Sequence, residues 1–291
     1  MIIVYLSDGL GNQMFQYAMG LTVSVYHKAP LLLDTSGCGH WHNGFELEQV
    51  FSFPVPLAQP EDVRDLLGWQ SPIYIRYIIA NSALKFLFNR RFVLEPHFHY
   101  WPGIRKLTLP CYLKGYWQSE RYFKDVEQTI RAHFKFGPLL SDRNREIAQE
   151  ISAVNSVSLH VRRGDYANSF INFIKIGLCS LSYYEAAVKY ITEHVEKPLF
   201  YIFSDDVDWV RANLKIKGAF CYIDQNRGLE SYNDMHLMSM CRHHIIANSS
   251  FSWWGAWLNP SKEKIVIAPR RWFAGYSGDT KDLVPDGWVK L

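Results

Sequence analysis

The hexapeptide His160-Val161-Arg162-Arg163-Gly164-Asp165 gathers an imidazole, two guanidinium groups and a carboxylate. Each guanidinium is a planar fork of N–H donors whose spacing matches two oxygens of a phosphate. Ser156-Val157-Ser158-Leu159, bounded by Asn155, precedes it as a short β-type run, and a polar, glycine-containing loop follows. The charges therefore stand at the end of a buried strand. Successive strand side chains point to opposite faces, so His160 and Arg162 should project together. Arg163 should point away, toward a structural carboxylate. A surface charge cluster would carry the same residues, because exposed ion pairs are common and weak. Position has to decide between the two readings.

Position comes from the rest of the second half. Leu199–Phe203, Ala219–Ile223, His244–Ala247 and Ile265–Ala268 read as strands, the last of them as the final strand of the chain. Helical patterns run from Asp142 to Ala153, from Ser182 to Val195, through Val207, Trp209 and Val210, and from Tyr232 to Cys241. Strands alternating with helices imply a parallel, doubly wound α/β sheet. Such sheets bind ligands at the carboxyl ends of their strands. Three of these ends carry polar clusters: Arg162 to Asp165, Ser204-Asp205-Asp206, and Asn248-Ser249-Ser250. All three belong on one edge of one sheet. The last joins hydroxyls to a helix N-terminus, a combination that holds phosphate. Asp205 and Asp206 are equally suited to capping their helix. Asp234 is a candidate to bind a base or ribose, and Ser231-Tyr232-Asn233-Asp234 also has the form of a capping box. Trp253, Trp254 and Trp257 have the spacing of a packed helical face and read as core.

In the first half, the apolar run Met1–Leu6 leads into Ser7-Asp8-Gly9-Leu10-Gly11-Asn12-Gln13 and then a helix. Glycines allow a tight turn and close backbone approach, and a helix start offers N–H groups to an anion. Gly11, Asn12 and Gln13 are therefore ligand candidates, with Asn12 as a helix cap the alternative. The motif is shorter than the full dinucleotide fingerprint. Leu31–Asp34 reads as a second strand. His40, Trp41 and His42 lie in a glycine-rich loop and match the apolar face and polar rim of a sugar, or they belong to a loop with incidental histidines. Glu61–Trp69 and Tyr74–Asn89 read as helices, the second broadly buried. Cys111–Gln118 reads as a strand, and Ser119 caps a helix running to His133. Gly137-Pro138 breaks the chain and marks a linker between Phe134 and Asp142.

The 291 residues suffice for two domains, and 48% hydrophobic content supplies a core for each. A net charge of +3 without a long basic run argues against nucleic acid as partner. Five scattered cysteines show no zinc spacing and read as reduced thiols of a cytoplasmic protein. No apolar run is long enough for a transmembrane segment, and Met1–Leu6 lacks a signal peptide's charged start.

GLGNQMFQYA, GYWQSERYF, HVRRGDY, YIFSDD and NDMHLMSMCRHHIIANSSFSWWGAWL together resemble the bacterial α-1,2-fucosyltransferases over nearly the whole chain. The resemblance implies a GT-B architecture, two Rossmann-like domains facing across a cleft. Residues 1–138 would serve the acceptor and residues 139–291 would hold GDP-fucose. It implies inverting transfer of L-fucose to the 2-hydroxyl of a galactose-terminated glycan or lipid-linked glycan, with no metal and no other cofactor. Carried over by position, Arg162 contacts the β-phosphate and His160 shapes that pocket. Asp234 binds the nucleoside, and Ser249 and Ser250 place hydroxyls beside phosphate. Gly11, Asn12, Gln13, Asp205 and Asn248 complete the donor-side set. His40, Trp41 and His42 are the acceptor candidates.

Asp165 is the carboxylate nearest the arginines and the first candidate for general base. Asp8, His40 and His42 are further candidates, and late proton transfer to solvent or phosphate is a third route. Bacterial relatives build surface polysaccharides such as O-antigen, so a cytoplasmic protein, or one peripheral at the inner membrane face, is expected. An enzyme using another GDP-sugar and an inactive glycan- or nucleotide-binding module are the alternatives. The acceptor and the oligomeric state are not legible.

Overall fold

Ile2, Ile3, Val4 and Leu6 are all fully buried, which marks a strand covered on both faces, as in parallel sheets. The computed structural model describes residues 1–39, 43–54, 56–80, 90–137, 140–276 and 278–291; Asp165, Asn168, Ile171 and Asn172 are described by their backbone alone. The chain divides into two compact units. The first comprises Met1–Pro138 with Asp279–Leu283, and the second Leu139–Gly278 with Val284–Leu291. Asp282 explains why the short segment returns to the first unit. Its carboxylate accepts the Tyr100 N–H at 2.9 Å and pairs with Arg121 at 2.9 Å.

The first unit contains β1 (Ile2–Ser7), α1 (Leu10–His27), β2 (Leu31–Gly37), α2 (Leu47–Val50), α3 (Pro60–Leu67), α4 (Ile73–Ala80), β3 (Phe92–Leu94), β4 (Cys111–Lys114) and α5 (Glu127–His133). Its strands pair in parallel in the order β2-β1-β4-β3. The second contains α6 (Asp142–Ala153), β5 (Ser156–Val161), α7 (Gly164–Asn168), α8 (Phe170–Lys175), α9 (Leu181–His194), β6 (Leu199–Ser204), α10 (Val207–Asn213), β7 (Ala219–Ile223), α11 (Tyr232–Met240), β8 (His243–Ile245), α12 (Ser250–Leu258), β9 (Val266–Ala268) and β10 (Val289–Lys290). Its parallel order is β10-β9-β8-β5-β6-β7. Two parallel α/β sheets are the pair of Rossmann-like domains that the motifs imply.

Several elements depart from expectation for local reasons. The strand from Cys111 stops at Lys114, because Trp117 adopts φ 56°. The Glu95 carboxylate holds that turn by accepting the N–H groups of Tyr116 (2.7 Å) and Trp117 (3.0 Å). The helix expected from Ser119 to His133 is interrupted by short 3-10 turns before α5. Neighbouring Tyr122 and Phe123 are both buried there. β3 was not expected, and β10 adds an edge beyond the strand expected to be last. α4 corrects the reading of a broadly buried helix, since Tyr74, Tyr77 and Ile78 are 64%, 65% and 60% exposed. Residues 81–89, the rest of that expected helix, lie outside the described residues. The indoles of Trp253, Trp254 and Trp257 are buried against one another as core. No helix among the described residues is long and apolar enough to cross a membrane.

Candidate active site

β5 is the first strand laid down in its sheet, and it ends up in the middle. β6 and β7 continue to one side of it, while β8, β9 and β10 are added to the other. The strand order therefore reverses between β5 and β8. Ligands bind at such a reversal, outside the carboxyl ends of the strands. The chain leaves β5 through Arg162 and Arg163, and leaves β8 through Ala247, Asn248 and Ser249 into α12.

Asp205, at the neighbouring end of β6, organises the first of these loops. Its Oδ2 lies 3.1 Å from an Arg162 terminal nitrogen, and its Oδ1 accepts the Arg163 N–H at 2.8 Å. Ser204 ties the two strand ends together. Its hydroxyl donates to the Val161 carbonyl at 2.8 Å and accepts from the Asp206 N–H at 3.0 Å. Gly164 is required by this packing, since a Cβ there would lie 2.4 Å from Asp205 Oδ2. Arg162 also has its guanidinium carbon 5.2 Å from the centre of the Tyr166 ring. Its side chain remains 22% exposed. Arg163 points elsewhere, as strand alternation implies. It pairs with Asp206 at 3.2 Å and stacks 3.5 Å from the centre of the Trp209 ring. Asp206 Oδ1 meanwhile caps α10 by accepting the Trp209 N–H.

His160 is buried, and burial followed by the nearby Arg162 charge pushes its imidazole down to about 3. It is a neutral ring, packed near Phe251. Its buried Nδ1 has no hydrogen-bond partner among the described residues. A neutral imidazole shapes the pocket and adds no positive charge to it.

At the β8 end, Ser249 is buried and precedes α12, while Ser250 opens the helix and is half-buried. The Ser249 side chain makes no cap hydrogen bond to the helix, and the first turn holds no acidic residue. The positive end of the helix dipole is thus not neutralised by an acid of its own first turn. Asn248, assigned to the donor side by the resemblance, has its side chain engaged by neighbouring loops. Its amide donates to the carbonyls of Gly177 and Trp272, both at 3.1 Å, and its carbonyl oxygen accepts from Cys179 Sγ. It is a buried clamp between loops.

Asp234 lies on α11, and the expected capping box does not form, since Ser231 makes no side-chain cap. Its carboxylate instead accepts from Asn226 Nδ2 at 2.8 Å. Asn226 in turn accepts from Asn144 at 2.8 Å, and Asn144 accepts from Gln225 at 2.7 Å. Burial pushes the Asp234 carboxyl up to about 7, opposed by the Asn226 hydrogen bond and the Arg227 charge. This amide relay was missed in the sequence. Its signal was Asp224-Gln225-Asn226, a fourth polar cluster directly after a strand. Tyr166 and Ser204 were also missed as partners of the arginine loop.

The glycine turn of the first unit is tied to the Gly44–Glu46 segment. The helix start is occupied from within, because Glu46 Oε2 accepts the Leu10 N–H at 2.9 Å. The amides of Asn12 and Gln13 both bond to the Gly9 carbonyl. Gln13 is fully buried. Its amide donates to the carbonyls of Asp8 and Gly44, both at 2.8 Å, and its oxygen accepts the Glu46 N–H. Gly11 is buried as well. Gly11 and the Gln13 side chain are thus built into the turn itself. Asn12 stays half-buried, with its oxygen accepting from Gln118 at 2.8 Å. His40, Trp41 and His42 lie outside the described residues, as does the side chain of Asp165.

The geometry can therefore meet a diphosphate at the β5/β8 reversal, with one braced arginine, two hydroxyls and a helix start. Comparison with known proteins identifies the family and the fold. Residues 80–291 match the model of glycosyl transferase family 11. The chain is 35% identical to an α-1,2-colitosyltransferase of Escherichia coli, over 100% of this chain and 98% of that one. It is 31% identical to the O-antigen biosynthesis glycosyltransferase WbnK of Escherichia coli, over 98% and 99% of the two chains. The fold is similar to that of the fucosyltransferase NodZ from Bradyrhizobium, with a TM-score of 0.53, 13% identity and 89% and 92% of the two chains covered. The fold is of the GT-B class, and the chain belongs to glycosyl transferase family 11, the α-1,2-fucosyltransferase family.

Proposed function

We propose that this glycosyltransferase is an inverting, metal-independent galactoside α-1,2-fucosyltransferase that uses GDP-β-L-fucose. The observation that carries the reading is Arg162, braced by Asp205 at the sheet reversal and partly open to solvent. The acceptor 2-hydroxyl attacks the fucose anomeric carbon, the bond to the β-phosphate oxygen breaks, and GDP leaves. Negative charge grows on the β-phosphate as the sugar takes on oxocarbenium character. Arg162 and the start of α12 meet that charge, which is commonly a dominant catalytic contribution. Metal independence is supported by Asp205 and Asp206, an acidic pair at a strand end, both of which are engaged by arginines.

Asp165 is our candidate base for the acceptor proton. Asp165→Asn should lower turnover and leave GDP affinity nearly intact; loss of both would assign it to the arginine scaffold. A lipid-linked acceptor in surface polysaccharide synthesis, met at the inner membrane face, fits the O-antigen relative.

A second reading is favoured by the colitosyltransferase relative: transfer of colitose, which is fucose without its 3-hydroxyl, through the same linkage. Transfer from GDP-fucose and from GDP-colitose to a panel of β-galactosides, with EDTA present, tests both. Fucosylated product that withstands EDTA and is lost in Arg162→Ala supports the proposal. Product from GDP-colitose alone replaces the donor. GDP binding without turnover of either donor would point to a binding module instead.

A further inference from the structure

From Leu66 to Leu94 the chain contains no aspartate or glutamate, yet it contains Arg76, Lys85, Arg90 and Arg91. α4 lies within this stretch and has two unlike faces. Inward, Ile79 joins the buried cluster of Ile3, Val63 and Phe92. Arg76 is buried beside it and pairs with Asp34 at 2.5 Å. Outward, Ile73, Tyr74, Tyr77 and Ile78 are exposed, and Trp69, one turn earlier, is 67% exposed. That outward face carries no charged side chain. A single exposed apolar residue is ordinary, but a contiguous group marks a contact surface.

One basic group lies beside this face and two more follow in the same stretch. The Lys114 ammonium lies 5.7 Å from the centre of the Tyr77 ring and 4.7 Å from that of Tyr5. Arg90 and Arg91 are exposed. The chemistry is that of an interfacial helix, with aromatic and aliphatic groups for the headgroup layer and cations for anionic lipid phosphates. A second copy of the chain fits less well, because a two-fold contact would set this basic stretch, which has no acid of its own, against itself.

We propose that the outward face of α4 is where the chain rests on an anionic lipid surface. The inference deepens the membrane-face placement above, on which it rests, and is independent of the sugar transferred. Vesicle flotation tests it without substrate, using phosphatidylglycerol-containing and pure phosphatidylcholine vesicles. The wild type should float with the anionic vesicles, and added salt should weaken it. Y74S/Y77S/I78S should float about tenfold less or lower still, with transfer to a soluble galactoside unchanged. R90E/R91E, which leaves the apolar face intact, should lose the preference for anionic lipid and guards against misfolding of the triple variant. The inference is overturned if the wild type does not float, or if both variants float as it does. A concentration-dependent dimer abolished by Y74S/Y77S/I78S, without vesicle binding, would assign the face to a second copy. Failure of sugar transfer with intact flotation would count against the enzymatic reading and leave this one standing.

Discussion

Arg162 and Asp205 meet 3.1 Å apart across the ends of two adjacent parallel strands, β5 and β6. They are far apart in sequence, and the sheet register, which pairs Val161 with Ser204, brings them together. One carboxylate both pairs with the arginine and holds the backbone of the next residue. The guanidinium is therefore oriented before any ligand arrives.

Replacing either partner should separate charge from orientation. Arg162→Ala should lower kcat/KM by about a hundred- to a thousandfold, on the order of 3–4 kcal/mol of transition-state stabilisation. Asp205→Asn keeps the arginine and loosens it, so a smaller loss is expected, roughly tenfold, mostly in kcat. Steady-state kinetics with GDP affinity measured by calorimetry checks both. Equal losses would show that Asp205 touches the donor itself.

Gly164→Ala places a methyl group 2.4 Å from Asp205 Oδ2, so the carboxylate must move. The expected outcome is an activity loss comparable with that of Asp205→Asn, with little change in Tm. Combining the two substitutions should cost scarcely more than either alone, because both act through one contact. A fully additive double variant would contradict this.

Gln13 distinguishes a structural turn from a ligand-binding one. Gln13→Ala leaves the Asp8 and Gly44 carbonyls and the Glu46 N–H without their partner. Buried polar groups left unpaired cost about 1–3 kcal/mol each in unfavourable cases. Denaturant unfolding should show a marked loss of stability, while KM for the donor, measured on the folded fraction, should barely change. A raised donor KM at unchanged stability would restore the donor-binding reading.

Asp234 gives stability a pH dependence of defined sign. Burial holds its carboxyl at about 7 in the folded chain, against roughly 4 for an unfolded one. Between those values the folded state binds the proton more tightly. Its contribution is fully present below about pH 4 and is lost as pH rises through about 7. The wild type should therefore lose Tm relative to Asp234→Asn across that window. If the ionised carboxylate accepts nucleoside N–H groups, GDP affinity should rise with pH up to about 7 in the wild type and stay flat in the variant. Parallel Tm profiles would show that Asp234 titrates normally.

Much of the site was legible because it is local. HVRRGD, SDD and NSS each follow a recognisable β-type run, and strand alternation alone separated Arg162 from Arg163. Parallel strands leave their carboxyl ends on one edge, so the shared edge followed from the βα alternation. What the residue types left open were choices between two local roles. Asn248 and Gln13 have the composition of ligand contacts, yet their amides are engaged by carbonyls of remote loops. Asp205 and Asp206 both had the form of helix caps, and only Asp206 caps.

By itself, the sequence determined the class of fold, the family and the three strand ends that carry chemistry. Those properties rest on periodicity, turn residues and consecutive motifs, which short stretches specify. Tertiary structure decided the partners. The order of strands around β5, the pairing of Arg162 with Asp205, the occupation of the α1 start by Glu46 and the relay from Asn144 to Asp234 all join residues distant in the chain. A buried donor or acceptor must find a partner, and which one it finds depends on how the elements pack.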